Sequence, residues 1–311
     1  MYESDNNSET IIRVITRKSQ LAVAQTNAVL QKMKEFHSNL VFEIKTIETV
    51  GDKNLDQALP LIGGKGLFTQ ELENALIDGS ADIAVHSLKD LPLELPTGLQ
   101  IGAILSRENP SDAVLFRDPC KHKSLEDLAP QSIVGTSSLR RKYTIQSLYP
   151  DLQVTNIRGN LQTRLMKLKG KHPTSSTHYD AILLAVAGLN RSDINDYYET
   201  LSDQKFMHAA GQGFLAIECR INDPIIRFMK CLQNTETDAL SGAERGILRF
   251  IGGGCHTPLS VFTSIEDGNL FIKATLFNED GTAQSTQEAL GALSEIDSMV
   301  PKLAYRMKSE L

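Results

Sequence analysis

Residues 133–142 read IVGTSSLRRK, and the fold is decided in this stretch. Ile133 and Val134 suit a short buried strand, Gly135-Thr136-Ser137-Ser138 a tight hydroxyl-rich turn, and Leu139 onward a helix. A second unit of the same design follows, with 154–157 as strand, Arg158-Gly159-Asn160 as turn and Leu161 onward as helix. Strand, turn and helix in that order predict parallel strands joined by crossover helices, the α/β class. Hydroxyls, unpaired backbone N–H groups and arginines at a helix start also make a place for an anion.

The charges point the same way. From 135 to 171 the chain carries eight bases (Arg140, Arg141, Lys142, Arg158, Arg164, Lys167, Lys169, Lys171) and one acid, Asp151, against a net charge of -6 overall. Leu161, Leu165 and Leu168 mark one apolar helix face, so Lys167, Lys169 and Lys171 are expected on the solvated remainder. Arg140 and Arg141 are helix neighbours pointing roughly 100° apart, and are expected to contact different groups. Nucleic acid is the rival ligand. The negative total, an aromatic content of 6% and the lack of a recognisable binding motif favour a small polycarboxylate or phosphate instead.

A length of 311 residues allows two or three domains, and no apolar run approaches the roughly 20 residues of a membrane span. Residues 1–10, MYESDNNSET, lack the basic and apolar regions of a signal peptide and are expected as a disordered tail on a cytoplasmic protein. The four cysteines show no CxxC spacing, which argues against a disulfide framework or a zinc site; at least three are expected as buried thiols.

Strands are expected at 11–15, 41–50, 83–86 and 181–186, with helices from a Ser19 cap to Phe36 and onward from Thr69. At five places a buried strand ends and polar groups follow at once: 16–19, 87–90, 136–138, 158–160 and 188–191. Ligands of open α/β sheets bind beyond the carboxyl ends of strands, so one cleft lined from two domains is expected. Chain crossings are expected near 107–111 and within 205–219, which contains Gly211-Gln212-Gly213. Beyond 235 the pattern changes to a helix at 239–250, a glycine loop, strands 259–265 and 270–276 about an Asp267-Gly268 turn, and a last helix at 295–310. This reads as a small third domain. No internal repeat is visible.

Two residues outside the basic stretch stay open on their own chemistry. Asp90, beside Lys89 and just before Leu91-Pro92, reads either as a solvated surface pair or as a carboxylate held at a strand end for proton or cation work. Cys255, between Gly252-Gly253-Gly254 and His256, reads either as a plain loop thiol or as one placed for covalent attachment.

Taken in order, Thr16-Arg17-Lys18-Ser19-Gln20-Leu21-Ala22, Gly63-Gly64-Lys65-Gly66-Leu67-Phe68, residues 81–90 (ADIAVHSLKD), Gly135-Thr136-Ser137-Ser138-Leu139-Arg140-Arg141, Arg158-Gly159-Asn160, residues 184–189 (LAVAGL), Gly211-Gln212-Gly213 and the glycine loop before Cys255 resemble the porphobilinogen deaminase (hydroxymethylbilane synthase) family along nearly the whole chain. The resemblance implies two periplasmic-binding-protein-like doubly wound domains, 11–106 with 214–231 and 111–207. It adds a small α+β domain, 236–311, with a three-stranded antiparallel sheet. It implies a transferase of haem biosynthesis, a cytoplasmic monomer without nucleic-acid or membrane partners. This enzyme would join four porphobilinogen molecules head to tail with loss of ammonia, on a dipyrromethane cofactor thioether-linked to Cys255.

The resemblance also assigns roles. Asp90 is the catalytic carboxylate and Lys89 assists it. Ser87, Thr136, Ser137, Ser138, Arg140, Arg141, Arg158, Gly159 and Arg164 join them in holding the cofactor. Arg17, Ser19, Lys65, Phe68, Gly188, Arg191 and Gln212, with Arg158 and Arg164, hold the substrate. Leu61, His208 and Phe214 depart from the family pattern. Without the resemblance, an anion-binding module on the same scaffold would need only the arginines and leave Asp90 and Cys255 without work.

Overall fold

The computed structural model describes residues 9–49, 69–201, 205–254 and 256–311. The chain divides into two compact units, Met1–Ser106 with Phe214–Thr237 and Arg107–Gly213 with Asp238–Leu311. In chain order the elements begin with β1 (Thr10–Arg17), α1 (Gln20–Phe36), β2 (Leu40–Ile47), α2 (Gln70–Ile77), β3 (Ile83–Ser87) and β4 (Leu99–Ile104). There follow β5 (Asp112–Phe116), β6 (Ile133–Gly135), α3 (Leu139–Leu148), β7 (Gln153–Thr155), α4 (Leu161–Leu168), β8 (Ala181–Ala185), α5 (Val186–Arg191) and β9 (Glu199–Thr200). The last are β10 (Leu215–Arg220), α6 (Thr235–Phe250), β11 (Leu259–Glu266), β12 (Asn269–Phe277), β13 (Gln284–Ala292) and α7 (Ile296–Ser309).

Among the described residues the sheet of the first unit runs β2-β1-β3-β10-β4, and the second unit repeats the plan as β7-β6-β8-β5-β9. In each, the first three strands are parallel and the fourth is antiparallel to its neighbours. The chain moves outward from β1 to β2 and then back past β1 to β3, and likewise about β6. Such reversals leave the carboxyl ends of adjacent strands free of crossing connections, where a ligand can approach.

Both faces of each sheet are covered, which explains why the strands read as unbroken apolar runs. In the first unit, Ile12, Val14 and Ile217 pack with Val29 and Met33 of α1. On the other face Ile15, Ala84 and Leu99 pack with Leu72 and Leu76 of α2. In the second unit, β11, β12 and β13 form a separate antiparallel sheet. Val261, Ile272 and Ala274 pack there on Ile247 of α6 and on Val300, Leu303 and Met307 of α7. Asp267 and Gly268 take φ of 49° and 77°, a two-residue hairpin turn whose twist matches the strands.

The α/β class and the third, antiparallel sheet agree with the sequence reading; several details do not. Thr10 belongs to β1, and the rest of the expected tail up to residue 8 lies outside the described residues. The strand expected at 41–50 ends at Ile47. Gly188 lies inside the short helix α5, where Val186 and Leu189, at the spacing of one helical face, are both buried. Of the described cysteines Cys219 alone is buried, while Cys231 is half-buried and Cys120 exposed, so three buried thiols were too many. Cys120 sits in a turn after β5, its backbone N–H donating to the Asp118 carboxylate at 3.2 Å.

Within the second unit one aromatic joins two layers. Tyr143 of α3 donates its hydroxyl to the Glu279 carbonyl at 2.6 Å and lies 5.8 Å from the Phe277 ring. Gly281, with φ of 76°, passes so close to the Tyr143 ring that a Cβ would collide with it. Gly281→Ala is therefore expected to lower stability by about 1–3 kcal/mol. Urea unfolding would show this, and a variant as stable as wild type would contradict the contact.

Candidate active site

In the first unit, Asp90 hangs from a strand that is secured at both ends. Asp82, just before β3, takes the Arg13 guanidinium at 2.6 Å and that of Arg220 at 3.2 Å. At the far end the Ser87 hydroxyl accepts from the Gln25 amide of α1 at 2.9 Å, and the Leu88 N–H donates to the Phe214 carbonyl at 3.1 Å. Leu88 and Leu91 are buried and plug the turn into the core. The single 3-10 turn Leu88–Asp90 between them leaves Asp90 exposed and Lys89 half-buried. At the neighbouring end of β1, Arg17 is half-buried and the Ser19 hydroxyl caps α1 by accepting from the Ala22 N–H at 3.3 Å.

In the second unit, β6 and β7 are parallel with Gly135 opposite Thr155, so the two turns read from the sequence lie side by side. Ser138 caps α3, accepting from the Arg141 N–H at 3.4 Å, and Asn160 caps α4, accepting from the Thr163 N–H at 2.9 Å. Thr136 is buried, and its hydroxyl accepts from the Ser138 N–H at 3.2 Å. The Ser137 hydroxyl donates to the Ile157 carbonyl at 2.6 Å, which joins the two turns. Gly159 has φ of 112° and presses on Thr163, leaving no room for a Cβ. Arg164 donates its Nε–H to the Gly159 carbonyl at 2.8 Å, and Arg158 beside it is half-buried. Lys167 corrects an expectation: it folds back and donates to the Arg158 carbonyl at 3.0 Å. Its amine thereby closes the turn. Lys169 and Lys171 are exposed as expected, Lys169 paired with Asp196 at 2.9 Å.

Arg140 and Arg141 overturn a second expectation, because both reach the same group. Asp112, with no exposed surface, takes Arg140 on one carboxylate oxygen at 2.7 Å and Arg141 on the other at 2.6 Å. Their Cβ atoms diverge, but two long side chains converge at their tips on a buried anion that needs both. Gln212 adds its amide to Asp112 at 2.8 Å and to the Pro110 carbonyl at 2.6 Å. Burial alone would raise the Asp112 carboxyl; the two guanidiniums outweigh it and hold it far below the usual carboxylate range. Arg191 is tied as well, donating to the Gly213 carbonyl at 2.7 Å.

A second buried carboxylate organises the departing chain. Glu244 of α6 takes Arg107 at 2.8 Å, the Gly211 N–H at 2.7 Å and the Thr263 hydroxyl at 2.6 Å. His208 lies in this group with its Nδ1 3.1 Å from Arg107. Burial pushes its pKa down to about 4, with Glu244 opposing and Arg107 adding to the shift. The family departure at His208 thus keeps a neutral ring at a crowded crossing. Phe214, further along the chain, is buried and supplies the carbonyl that holds Leu88.

Lys65, Phe68, Leu61 and Cys255 lie outside the described residues. On either side of Cys255, the Gly254 N–H donates to the Thr257 hydroxyl at 2.8 Å and the Thr257 N–H to the Gly254 carbonyl at 2.9 Å. The sequence reading missed Asp112, Glu244 and the buried set Glu73, His86 and Glu218. The last had a visible signal, a histidine and a glutamate inside the apolar strands Ile83–Ser87 and Leu215–Arg220. Asp112 and Glu244 had none, since their partners are far away in sequence.

Asp112→Asn would leave two buried guanidiniums without their anion and is expected to cost about 3–5 kcal/mol at neutral pH. A depressed pKa stabilises fully above the ordinary carboxylate value of 3.8 and loses that effect as pH falls below it toward the folded value. The gap between wild type and variant should therefore shrink in acid. Urea unfolding at pH 7 and at about pH 3 tests both statements.

Three comparisons with known proteins bear on these residues. A family model described as "Porphobilinogen deaminase, dipyromethane cofactor binding domain" matches residues 12–227, and one described as "Porphobilinogen deaminase, C-terminal domain" matches 239–309. A protein named porphobilinogen deaminase from Synechococcus elongatus is 42% identical over 301 residues, 96% of this chain and 92% of that one. One of the same name from Dictyostelium discoideum is 42% identical over 285 residues, 89% of this chain and 86% of that one. Among solved structures, the Bordetella pertussis BvgS periplasmic VFT2 domain aligns with 76% of this chain and 92% of its own at 16% identity and a TM-score of 0.40, too loose a likeness to argue from.

Proposed function

The chain belongs to the porphobilinogen deaminase family, and from that premise we propose that it joins four porphobilinogen molecules head to tail into hydroxymethylbilane, releasing ammonia at each addition. The observation that carries the reading is the pair of adjacent strand-end turns after β6 and β7. There hydroxyls, helix starts and the half-buried Arg158 and Arg164 face the same end of one sheet. Porphobilinogen carries an acetate and a propionate, so a growing product presents carboxylates in a row, and guanidinium forks suit each of them.

The family's dipyromethane cofactor fits the donor set present here. Arg158, Arg164, Ser137 and the N–H groups of the two turns would hold its carboxylates, and Cys255 would supply the thioether. Bound, it provides a nucleophilic terminal pyrrole on which the first substrate is placed. Arg140 and Arg141 bear on it through Asp112, which fixes the helix start they belong to; their buried Nε atoms have no hydrogen-bond partner among the described residues. Asp90, exposed on a secured turn, stands as an anion beside the pyrrole N–H of the reacting substrate, stabilises the cation left when the amine departs and helps move protons. Lys89 steadies the charge of that site, and Arg17, Ser19, Arg191 and Gln212 support substrate carboxylates or the backbone around them.

The same reading makes the chain a transferase of haem synthesis, a cytoplasmic monomer whose partner is a small molecule rather than nucleic acid or membrane. It also treats 236–311 as a domain of its own, supported by the separate core between α6, α7 and the antiparallel sheet. No helix among the described residues is long and apolar enough to cross a membrane.

Asp90→Ala is expected to stay folded and to lose at least about a hundredfold in turnover of porphobilinogen; near-normal turnover would remove the assigned role. Cys255→Ser is expected to lower the intact mass by two pyrrole units beyond the substitution itself. A native chain made in a haem-synthesising host with an unmodified mass would count against the covalent attachment.

A further inference from the structure

Beneath the Asp90 turn, on the α2 face of the first unit's sheet, lie a histidine and two glutamates that none of the roles above uses. Strand register puts two of them together. Ala216 of β10 is opposite His86 of β3 and Glu218 is opposite Ala84, so His86 and Glu218 are diagonal neighbours on one face. His86 Nε2 comes within 2.9 Å of Glu218 Oε2, with the side chains 5% and 0% exposed, although the pair lacks the alignment of a hydrogen bond. Glu73 of α2 is buried above them, near enough for the charges of both to act on it. The same helix packs on Ile15 of β1 and Leu99 of β4, which are apolar. Glu218 and Glu73 are thus the charged groups that face His86 from β10 and α2.

Two carboxylates and an imidazole packed out of water interact through a medium that screens little, so each bears strongly on the others. Burial raises the Glu73 carboxyl above its ordinary range; the Thr69 hydroxyl and His86 oppose that rise and the Glu218 charge adds to it. The position of the set matters because His86 is the penultimate residue of β3 and Ser87 leads straight into Leu88–Asp90. Ser87 is secured on the α1 face by Gln25, and His86 secures the same strand end on the opposite face by Glu218.

We propose that Glu73, His86 and Glu218 form a buried positioning group whose contacts and charges fix the placement and electrostatic field of the Asp90 turn. The proposal rests on the reading of Asp90 as the catalytic carboxylate. All three are buried, so they act through the strand end.

The test compares kcat, KM and the pH profile of kcat for the cofactor-loaded wild type, Glu218→Gln and Glu73→Gln, with thermal unfolding of each. Glu218→Gln removes the anion beside His86, and is expected to lower kcat about tenfold with KM within about twofold, the size of effect one pKa unit carries. Its kcat profile should move by about half a pH unit or more. Glu73→Gln imitates the protonated carboxyl, and should keep kcat at neutral pH within about twofold while displacing the profile. A role confined to stability would lower the melting temperature and leave both profiles on the wild-type curve, which overturns the proposal. If Glu218→Gln does not fold, the Glu73→Gln profile decides, displaced in favour or superimposed against. A loaded wild type that does not consume porphobilinogen overturns the family reading and this proposal with it, whereas normal wild-type turnover with superimposed variants overturns the proposal alone.

Discussion

A carboxylate with no exposed surface, that of Asp112, sits between two guanidiniums and an amide, and the second unit is arranged around meeting its needs. A lone carboxylate at such a depth would lose several kcal/mol of hydration, so three donors from different parts of the chain must converge. Arg140 and Arg141 bring the start of α3, Gln212 brings the returning chain, and Asp112 itself opens β5. Because the hydroxyl turn 136–138 is the start of α3, satisfying Asp112 also fixes the place where an anion would bind. Glu244 repeats the device for Arg107, Gly211 and Thr263. The entry of the chain at Arg107 and its exit after Gln212 are thus both tied to buried acids.

These acids explain which parts of the molecule the sequence disclosed. Local chemistry was legible: Ser19, Ser138 and Asn160 cap helices as their side chains suggest, Gly159 takes a conformation that glycine favours, and Asp267-Gly268 turns a hairpin. The ends of β1, β3, β6 and β7 carry polar groups where the apolar runs stopped. Contacts between residues far apart left no such trace. Asp112 meets Gln212 across 100 positions and Arg107 meets Glu244 across 137, and nothing near any of the four signals a partner. The strand β13, QSTQEALGA, does not alternate cleanly between apolar and polar, and it is absent from the strands read at 259–265 and 270–276.

The basic stretch that stood out in an acidic chain proves to contain several kinds of charge. Arg140 and Arg141 are structural donors to a buried acid, Lys167 closes a turn, and Lys169 pairs with Asp196 at the surface. Arg158 and Arg164 remain as the half-buried guanidiniums beside the two turns. The family's roles for this region thus rest on fewer direct contacts and more support than a count of charges implies. In the first unit the same division holds, with Asp82, Arg13 and Arg220 securing the start of β3 and leaving Asp90 exposed at its end.

Tyr143 gives α3 an attachment at its middle as well as its start, since the ring rests on Gly281 and the hydroxyl on Glu279. The hairpin between β12 and β13 and the hydroxyl turn before α3 are therefore parts of one cooperative opening unit. When the hairpin frays, the helix loses a neighbour and its capped start loosens with it. Linkage runs equally in the other direction. An anion seated at the turn stabilises α3, and through Tyr143 it protects the amides of a hairpin that the anion never touches.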